Sequence, residues 1–439
     1  MRARDVPGNR SAGTALLTDQ YELTMLQAAL ADGSADRTCT FEVFARRLPN
    51  GRRYGVVAGT ERVLDAIHDF RFDSAALAHL EPILDRPTLD HLASWSFDGD
   101  IDGYPEGELF FAQSPVLTVR GSFASAVILE TVILSILNHD CAIAAAAARM
   151  TSAAAGRPLI EMGSRRTHEQ AAVAAARAAY IGGFTATSNL AAGQRYSIPT
   201  TGTAAHAFTL LHDSEADAFA AQVAALGKGT TLLVDTYDIT RGIATAIEVV
   251  GTELGAIRID SGELGVLARS AREQLDSLGA TGTKVVLSGD LDEYAIASLR
   301  AEPVDVYGVG TSLVTGSGAP TAGMVYKMVE VDGRAVAKRS ENKQSNGGAK
   351  GALRRRRSTG TVTEEIVYQL AGPAPEAQAG DLRLQIPLIR NGSPVPGLPT
   401  LQDARRRLTD SLLSLPWEGL KLSQGDPAIP TSLLAAHLN

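Results

Sequence analysis

The chain has 439 residues, 45% of them hydrophobic and 21% charged, with a formal net charge of -8 at pH 7. That length exceeds what one core usually serves, so two domains, or one barrel with a sizeable addition, are expected. The composition excludes a disordered chain, and the charge gives no global pull toward nucleic acid or a membrane surface. Cys39 and Cys141 lie too far apart for a CxxC motif, and residues 1–12 are polar without an apolar core, so a reducing cytoplasm is the expected compartment.

In chain order, residues 1–12 read as a flexible tail and 13–124 as an N-terminal α+β domain, with strand-like runs at Thr38–Phe44 and Val116–Val119. A long helix from Ser125 to about Ala154 follows. Its alanine run Ala142–Ala148 is bracketed by Asp140 and Arg149 and is far shorter than the roughly 20 residues of a membrane span, so it is expected to be a buried helix.

From 125 to 325 short apolar runs alternate with helical patterns. The runs are Pro158–Met162, Tyr180–Phe184, Tyr196–Pro199, Thr231–Val234, Ala256–Ile259, Lys284–Leu287 and Val304–Tyr307. Near-continuous apolarity suits parallel strands buried on both faces. Between two of them Leu264, Leu267, Ala271, Leu275 and Leu278 recur at helical spacing, with Gly279 placed as a C-terminal cap. The fold class is therefore α/β, and a barrel is favoured over an open doubly wound sheet because polar residues gather after several strands and no GxGxxG or GxxxxGK[ST] loop occurs. Residues 326–439 read as a C-terminal extension packing on the rest: Tyr326–Val331, a Gly/Lys/Arg-rich loop at 343–357 whose Arg354–Arg357 suits a solvated basic face, and a peripheral proline-rich stretch from Pro373 to Pro399.

The chemistry concentrates at five strand ends: Glu161 to Arg166, Asp235 to Asp238, Arg258 to Gly262, Ser288 to Asp290, and Gly308 to Ser312. Any one of these is ordinary turn and cap chemistry. Five on one face supply forked guanidinium donors, glycine-rich backbone amides and spaced carboxylates, which together suit a phosphorylated sugar with magnesium. Pro199 to His206 adds an imidazole behind threonines and a glycine, a setting for a nucleophilic histidine. Aldolases, isomerases and phosphoribosyltransferases all remain open on these grounds.

The motifs Thr18 to Met25, Gly202-Thr203-Ala204-Ala205-His206, Arg258-Ile259-Asp260-Ser261-Gly262, Gly308-Val309-Gly310-Thr311 and Val325 to Glu330, in that order, resemble the nicotinate phosphoribosyltransferase family from about Thr14 to about Glu341. The resemblance implies an irregular TIM-like (β/α) barrel of the type II phosphoribosyltransferase kind. It also implies ATP-dependent condensation of nicotinate with phosphoribosyl pyrophosphate, with magnesium as cofactor. It assigns His206 as the histidine phosphorylated by ATP and Thr203 to substrate binding. Tyr21 would stack on the pyridine in the partner subunit of a homodimer, opposite Arg258. Arg165 would contact phosphate, Asp238 and Asp260 would lie near ribose and magnesium, and Gly289, Asp290, Gly310 and Thr311 would cradle the 5-phosphate and ribose. Where many relatives carry a Pro-Gly-Arg-Lys-Gln-like stretch after Lys343, this chain has Ser345 to Lys350, and no role follows there.

The nearest rival is the nicotinamide-using relative, which carries an aspartate where this chain aligns Ser188. A carboxylate there repels nicotinate, whereas a hydroxyl donates to it. A quinolinate phosphoribosyltransferase calls for a denser basic pocket and lacks the ATP-linked histidine. A phosphosugar aldolase or isomerase needs a Schiff-base lysine or an acid/base pair at a strand end, and Lys284 begins its strand. A non-enzymatic binding protein fits the clustered polar residues less well.

Overall fold

The computed structural model describes residues 13–338 and 346–434; the tail expected at 1–12 and part of the 343–357 loop lie outside them. Two sheets and a long helix position the site. The first sheet is antiparallel, in the order Arg334–Ala335, Met324–Val331, Thr38–Ala45, Leu117–Ser122, Asp100–Gly103, Ile386–Arg390, Ser393–Pro394. Thr38–Ala45 (TCTFEVFA) is buried at every position but its first, which is why it holds a central place between two partners. Segments from the N-terminal and C-terminal parts of the chain thus build one layer. The proline-rich stretch is not wholly peripheral, because Ile386–Arg390 pairs with Asp100–Gly103 and buries Leu388 and Ile389.

The helical segment Phe123–Ala154 runs on from this sheet; 67% of its most apolar window is buried inside the protein, which marks it as a core helix. Its middle is lined by small residues, Ala142 and Ala144 through Ala148, and these let neighbouring backbone come close: a Cβ on Gly182 would meet Ala147 at 2.2 Å.

The second sheet is wholly parallel, in the order Ala186–Thr187, Leu159–Glu161, Val306–Val309, Lys284–Leu287, Ala256–Ile259, Thr231–Leu233. A bridge from Thr187 to Thr200 extends one edge, and no hydrogen-bonded ladder joins the two edges among the described residues. The arrangement is an open half-barrel of α/β type rather than a demonstrated closed barrel. Two expected strands explain the gap. Tyr180 and Ile181 form the last turn of the helix Glu169–Ile181, and Tyr196 ends the helix Leu190–Tyr196. An apolar run of four or five residues fits a buried helix end as well as a strand, and the alanine-rich lead-in decides for helix.

A second correction concerns Arg354. It lies in the strand Lys350–Arg356, 1% exposed, and pairs with Glu108 and Glu365, while only Arg357 of the expected basic face is exposed. The strand is buried from Lys350 through Arg354, which sets Arg354 inside the protein, opposite Glu365.

Candidate active site

Parallel register brings the ends of four strands to one edge: Leu287 lies beside Ile259 and Tyr307, and Val309 beside Glu161. The residue after each strand therefore faces a common space. A cavity of about 360 Å³ opens there, lined by Met162, Arg165, Arg166, Ser188, Thr203, His206, Arg258, Asp260, Ser288, Gly289, Asp290, Gly310 and Thr311, among others. Its size falls in the range of small-molecule sites. A larger cavity of about 490 Å³ shares Met162, Gly202 and Thr203 with it but extends toward the opposite strand ends, where Thr252, Gly255, Gly282 and Lys284 carry no such convergence of polar groups.

Arg258 is the hub. Its Nε donates to Ser288 Oγ at 2.7 Å, Nη1 to Thr203 Oγ1 at 3.0 Å and Nη2 to Asp260 Oδ1 at 2.8 Å. The guanidinium plane is thus fixed by three partners before any ligand arrives, which is what planar recognition needs. Burial pushes the Asp260 carboxyl upward, but hydrogen bonds from Ser288 and Arg258 outweigh it and hold the group below the ordinary aspartate range. Asp260 is ionised at neutral pH.

Gly289 adopts φ +107, and a Cβ there would meet the Asp260 carbonyl oxygen at 2.2 Å. Only glycine lets this loop fold so closely over the Asp260 backbone. Asp290, at φ +45, continues the turn and leaves its side chain exposed at the cavity wall.

His206 opens the short helix His206–Leu210 and is half-exposed, with Nδ1 3.1 Å from Thr236 Oγ1 and Nε2 3.8 Å from Asp235 Oδ1. Asp235 was expected only as part of the strand-end cluster Asp235 to Asp238, with no role of its own. Its side chain is 1% exposed, Oδ2 accepts from the Asp260 N–H and Ser261 Oγ at 2.9 Å each, and buried Oδ1 has no hydrogen-bond donor among the described residues. One buried carboxylate therefore braces the Asp260 loop and faces the imidazole. Sequence spacing hides this, since Asp235 reads as another strand-end turn residue.

The cavity brings together Arg165, Ser188, Thr203, His206, Arg258, Asp260, Gly289, Asp290, Gly310 and Thr311 of the expected set. Met162, Arg166 and Ser288, which the sequence placed in the strand-end clusters without a role of their own, line it as well. Two expected residues lie elsewhere. Asp238 caps the helix Ile239–Val250, its carboxylate accepting the Arg241 N–H at 2.8 Å. Tyr21 sits on the helix Gln20–Asp32 of the N-terminal layer, 47% exposed, with burial and the nearby Glu130, Glu22 and Asp19 pushing its hydroxyl up to about 12.

Comparison with known proteins agrees with this arrangement. Residues 16–138 match the model of the nicotinate phosphoribosyltransferase (NAPRTase) N-terminal domain. A nicotinate phosphoribosyltransferase of Mycobacterium tuberculosis is 64% identical over 99% of this chain and 98% of its own length, and one from Bacillus subtilis is 40% identical over 75% and 70%. The crystal structure of human nicotinic acid phosphoribosyltransferase superposes with a TM-score of 0.82 at 25% identity, covering 96% of this chain and 98% of the human one. That of a nicotinate-nucleotide pyrophosphorylase from Pyrococcus furiosus gives a TM-score of 0.77 at 25% identity over 94% and 99%. The half-barrel, the cavity at its strand ends and near full-length identity together place this chain in the nicotinate phosphoribosyltransferase family.

Proposed function

We propose that this chain condenses nicotinate with phosphoribosyl pyrophosphate, giving nicotinate mononucleotide and pyrophosphate for NAD salvage in the cytoplasm, and that ATP drives the reaction through phosphorylated His206. The observation that carries the reading is the pre-fixed Arg258 network beside Asp260, with His206 on the same cavity. Arg258 offers a flat cation for the carboxylate and ring of the acceptor, and Ser188 offers it a neutral hydroxyl. Arg165 and the Gly310-Thr311 turn take the phosphates. Departure of pyrophosphate from ribose C1 develops positive charge on the sugar, and ionised Asp260 stands where it is stabilised. The pyridine nitrogen already carries its lone pair, so alignment rather than a general base is what the site supplies.

In the ATP half-reaction the His206 ring attacks the γ-phosphorus of ATP, the bond to ADP breaks, and the buried Asp235 carboxylate offsets the charge on the ring. Hydrolysis of that phosphohistidine then drives the condensation.

Magnesium fits this site on the chemistry of its donors. Magnesium is commonly held by one or two carboxylates with substrate phosphates and water, and Asp260 is ionised at the cavity wall, with Asp290 a second carboxylate beside it. Asp238, the other expected ligand, has its carboxylate engaged at a helix start. When bound, the ion neutralises charge on the pyrophosphate.

The exposure of Tyr21 and its absence from the cavity lining support its action across a homodimer. Mixing Tyr21→Ala with His206→Ala subunits should restore about a quarter of the parental ATP-stimulated activity, since half the dimers are mixed and each holds one intact site. Recovery no greater than the sum of the separate variants counts against action in trans. The whole reading is tested by assaying nicotinate, nicotinamide and quinolinate as acceptors, each with and without ATP; nicotinate with ATP should win by a wide margin.

A further inference from the structure

Glu161 ends the strand Leu159–Glu161, is 1% exposed, and forms no salt bridge among the described residues. A buried carboxylate without a cation is costly unless hydrogen bonds replace its water. Its two oxygens divide their bonds between two loops. Oε1 accepts the Gly163 N–H at 2.5 Å, at the start of the turn that carries Arg165. Oε2 accepts the Thr187 hydroxyl at 2.5 Å, immediately before Ser188, whose own N–H donates to the Glu161 carbonyl at 2.8 Å. Thr187 Oγ1 in turn accepts the Asn189 N–H at 2.9 Å, and Asn189 Nδ2 reaches Ser164 Oγ at 3.0 Å, closing a ring between the loops. The Gly163 turn also lies against the phosphate-side loop: a Cβ on Gly163 would stand 3.1 Å from the Gly310 carbonyl oxygen and strike Val314.

We infer that Glu161 is a positioning residue that sets the distance between the two ends of the bound substrate pair, holding the Arg165 turn for the sugar phosphate with one oxygen and the Ser188 turn for the acceptor with the other. It touches neither substrate. A hydrocarbon of the same size would fill the space but leave the Gly163 N–H and Thr187 hydroxyl without an acceptor, and each loop would then settle independently of the other. The inference rests on the acceptor and phosphate roles proposed above for Ser188 and Arg165.

The two arms are separable by substitution. Thr187→Val removes the hydroxyl link to the Ser188 arm and leaves the Gly163 link in place. It should raise KM for nicotinate about tenfold while KM for phosphoribosyl pyrophosphate stays within about twofold. Glu161→Leu removes both acceptor oxygens at similar volume and disturbs both arms, so both KM values should rise, and Glu161→Ala should raise them further. A residue serving stability alone would alter the amount of folded enzyme and leave both KM values where they were. Equal changes in both constants for Thr187→Val, or unchanged constants for Glu161→Leu, overturn the inference. Ser188→Ala and Arg165→Ala serve as references. If either leaves its own KM unaltered, the proposed role of that residue fails and takes the inference with it; if both act as expected while the Glu161 and Thr187 variants are silent, the inference alone fails.

Discussion

Two clusters of arginine and carboxylate in this molecule use the same chemistry to opposite ends. On the strand Lys350–Arg356, Arg354 lies between Glu108 and Glu365, with side-chain exposures of 2%, 3% and 0%, and Tyr104 and Ser114 add hydroxyl donors to Glu365. In the half-barrel, Arg258 and Asp260 are 11% and 31% exposed, His206 is 43% exposed, and the buried Asp235 Oδ1 lacks a donor among the described residues. The first cluster turns its charges on one another and closes a junction between chain segments. The second holds its groups in place but leaves faces open to a cavity. What separates structural from functional charge here is access and leftover bonding capacity, not residue type.

The largest effect should follow from breaking the closed cluster. Arg354→Ala leaves two buried carboxylates without their cation, which costs about 3 to 5 kcal/mol of stability. Arg258→Ala, at the open cluster, should cost far less stability, because cavity water can solvate what it leaves. Urea unfolding of both variants checks this, and a similar loss in the two would remove the contrast. Arg258→Ala should instead lower kcat/KM for nicotinate by roughly ten- to a hundredfold, the worth of a charge-assisted contact.

His206→Ala sharpens the open cluster's side of the comparison. The parent incubated with γ-labelled ATP should form an acid-labile, base-stable phosphoryl adduct, and the variant none. The variant should also lose the ATP-stimulated part of the rate while retaining slow transfer, because the ribosyl site is built from other residues. A full adduct in the variant would move the phosphoacceptor elsewhere. Arg165→Ala should raise KM for phosphoribosyl pyrophosphate by about tenfold or more with a much smaller change for nicotinate, since Arg165 supplies one charge-assisted contact among several. An unchanged sugar KM removes Arg165 from the site.

The two clusters also differ in how far the sequence discloses them. Ala256–Ile259 and Lys284–Leu287 are read to the residue, because a short apolar run between turn signals allows little else. Ten of the expected site residues meet at one cavity, since parallel strands in register deliver every strand-end residue to the same edge. Arg354 defeats sequence reading because four consecutive arginines look like a solvated face, and the carboxylates that draw one inward lie 246 and 11 positions away. Asp235 is hidden for the same reason: its position in the sequence marks a turn, and only the fold sets it against His206. Tyr180 to Phe184 is misread as a strand because burial, which the apolar run reports correctly, does not distinguish a helix end from a strand.

The smallest effect, and the one that probes the acceptor end of the open cluster, belongs to Ser188. It is exposed at the cavity wall, its backbone fixed by the N–H to the Glu161 carbonyl at 2.8 Å, so a substitution there should alter the side chain without moving the loop. Ser188→Asp sets a carboxylate toward the acceptor's carboxylate. At about 4 Å two such charges repel by about 1 kcal/mol in water and about 4 kcal/mol at an effective dielectric of 20. The open cavity lies nearer the first limit, so nicotinate kcat/KM should fall roughly tenfold. Nicotinamide has no charge to repel, and its amide N–H can donate to the new carboxylate, so the ratio of the two acceptors should shift toward nicotinamide by at least that factor. Measuring kcat/KM for both acceptors at saturating ATP and sugar decides it. If the parent's preference persists unchanged, Ser188 does not face the acceptor's functional group, and the cation of Arg258 alone accounts for discrimination at that end of the site.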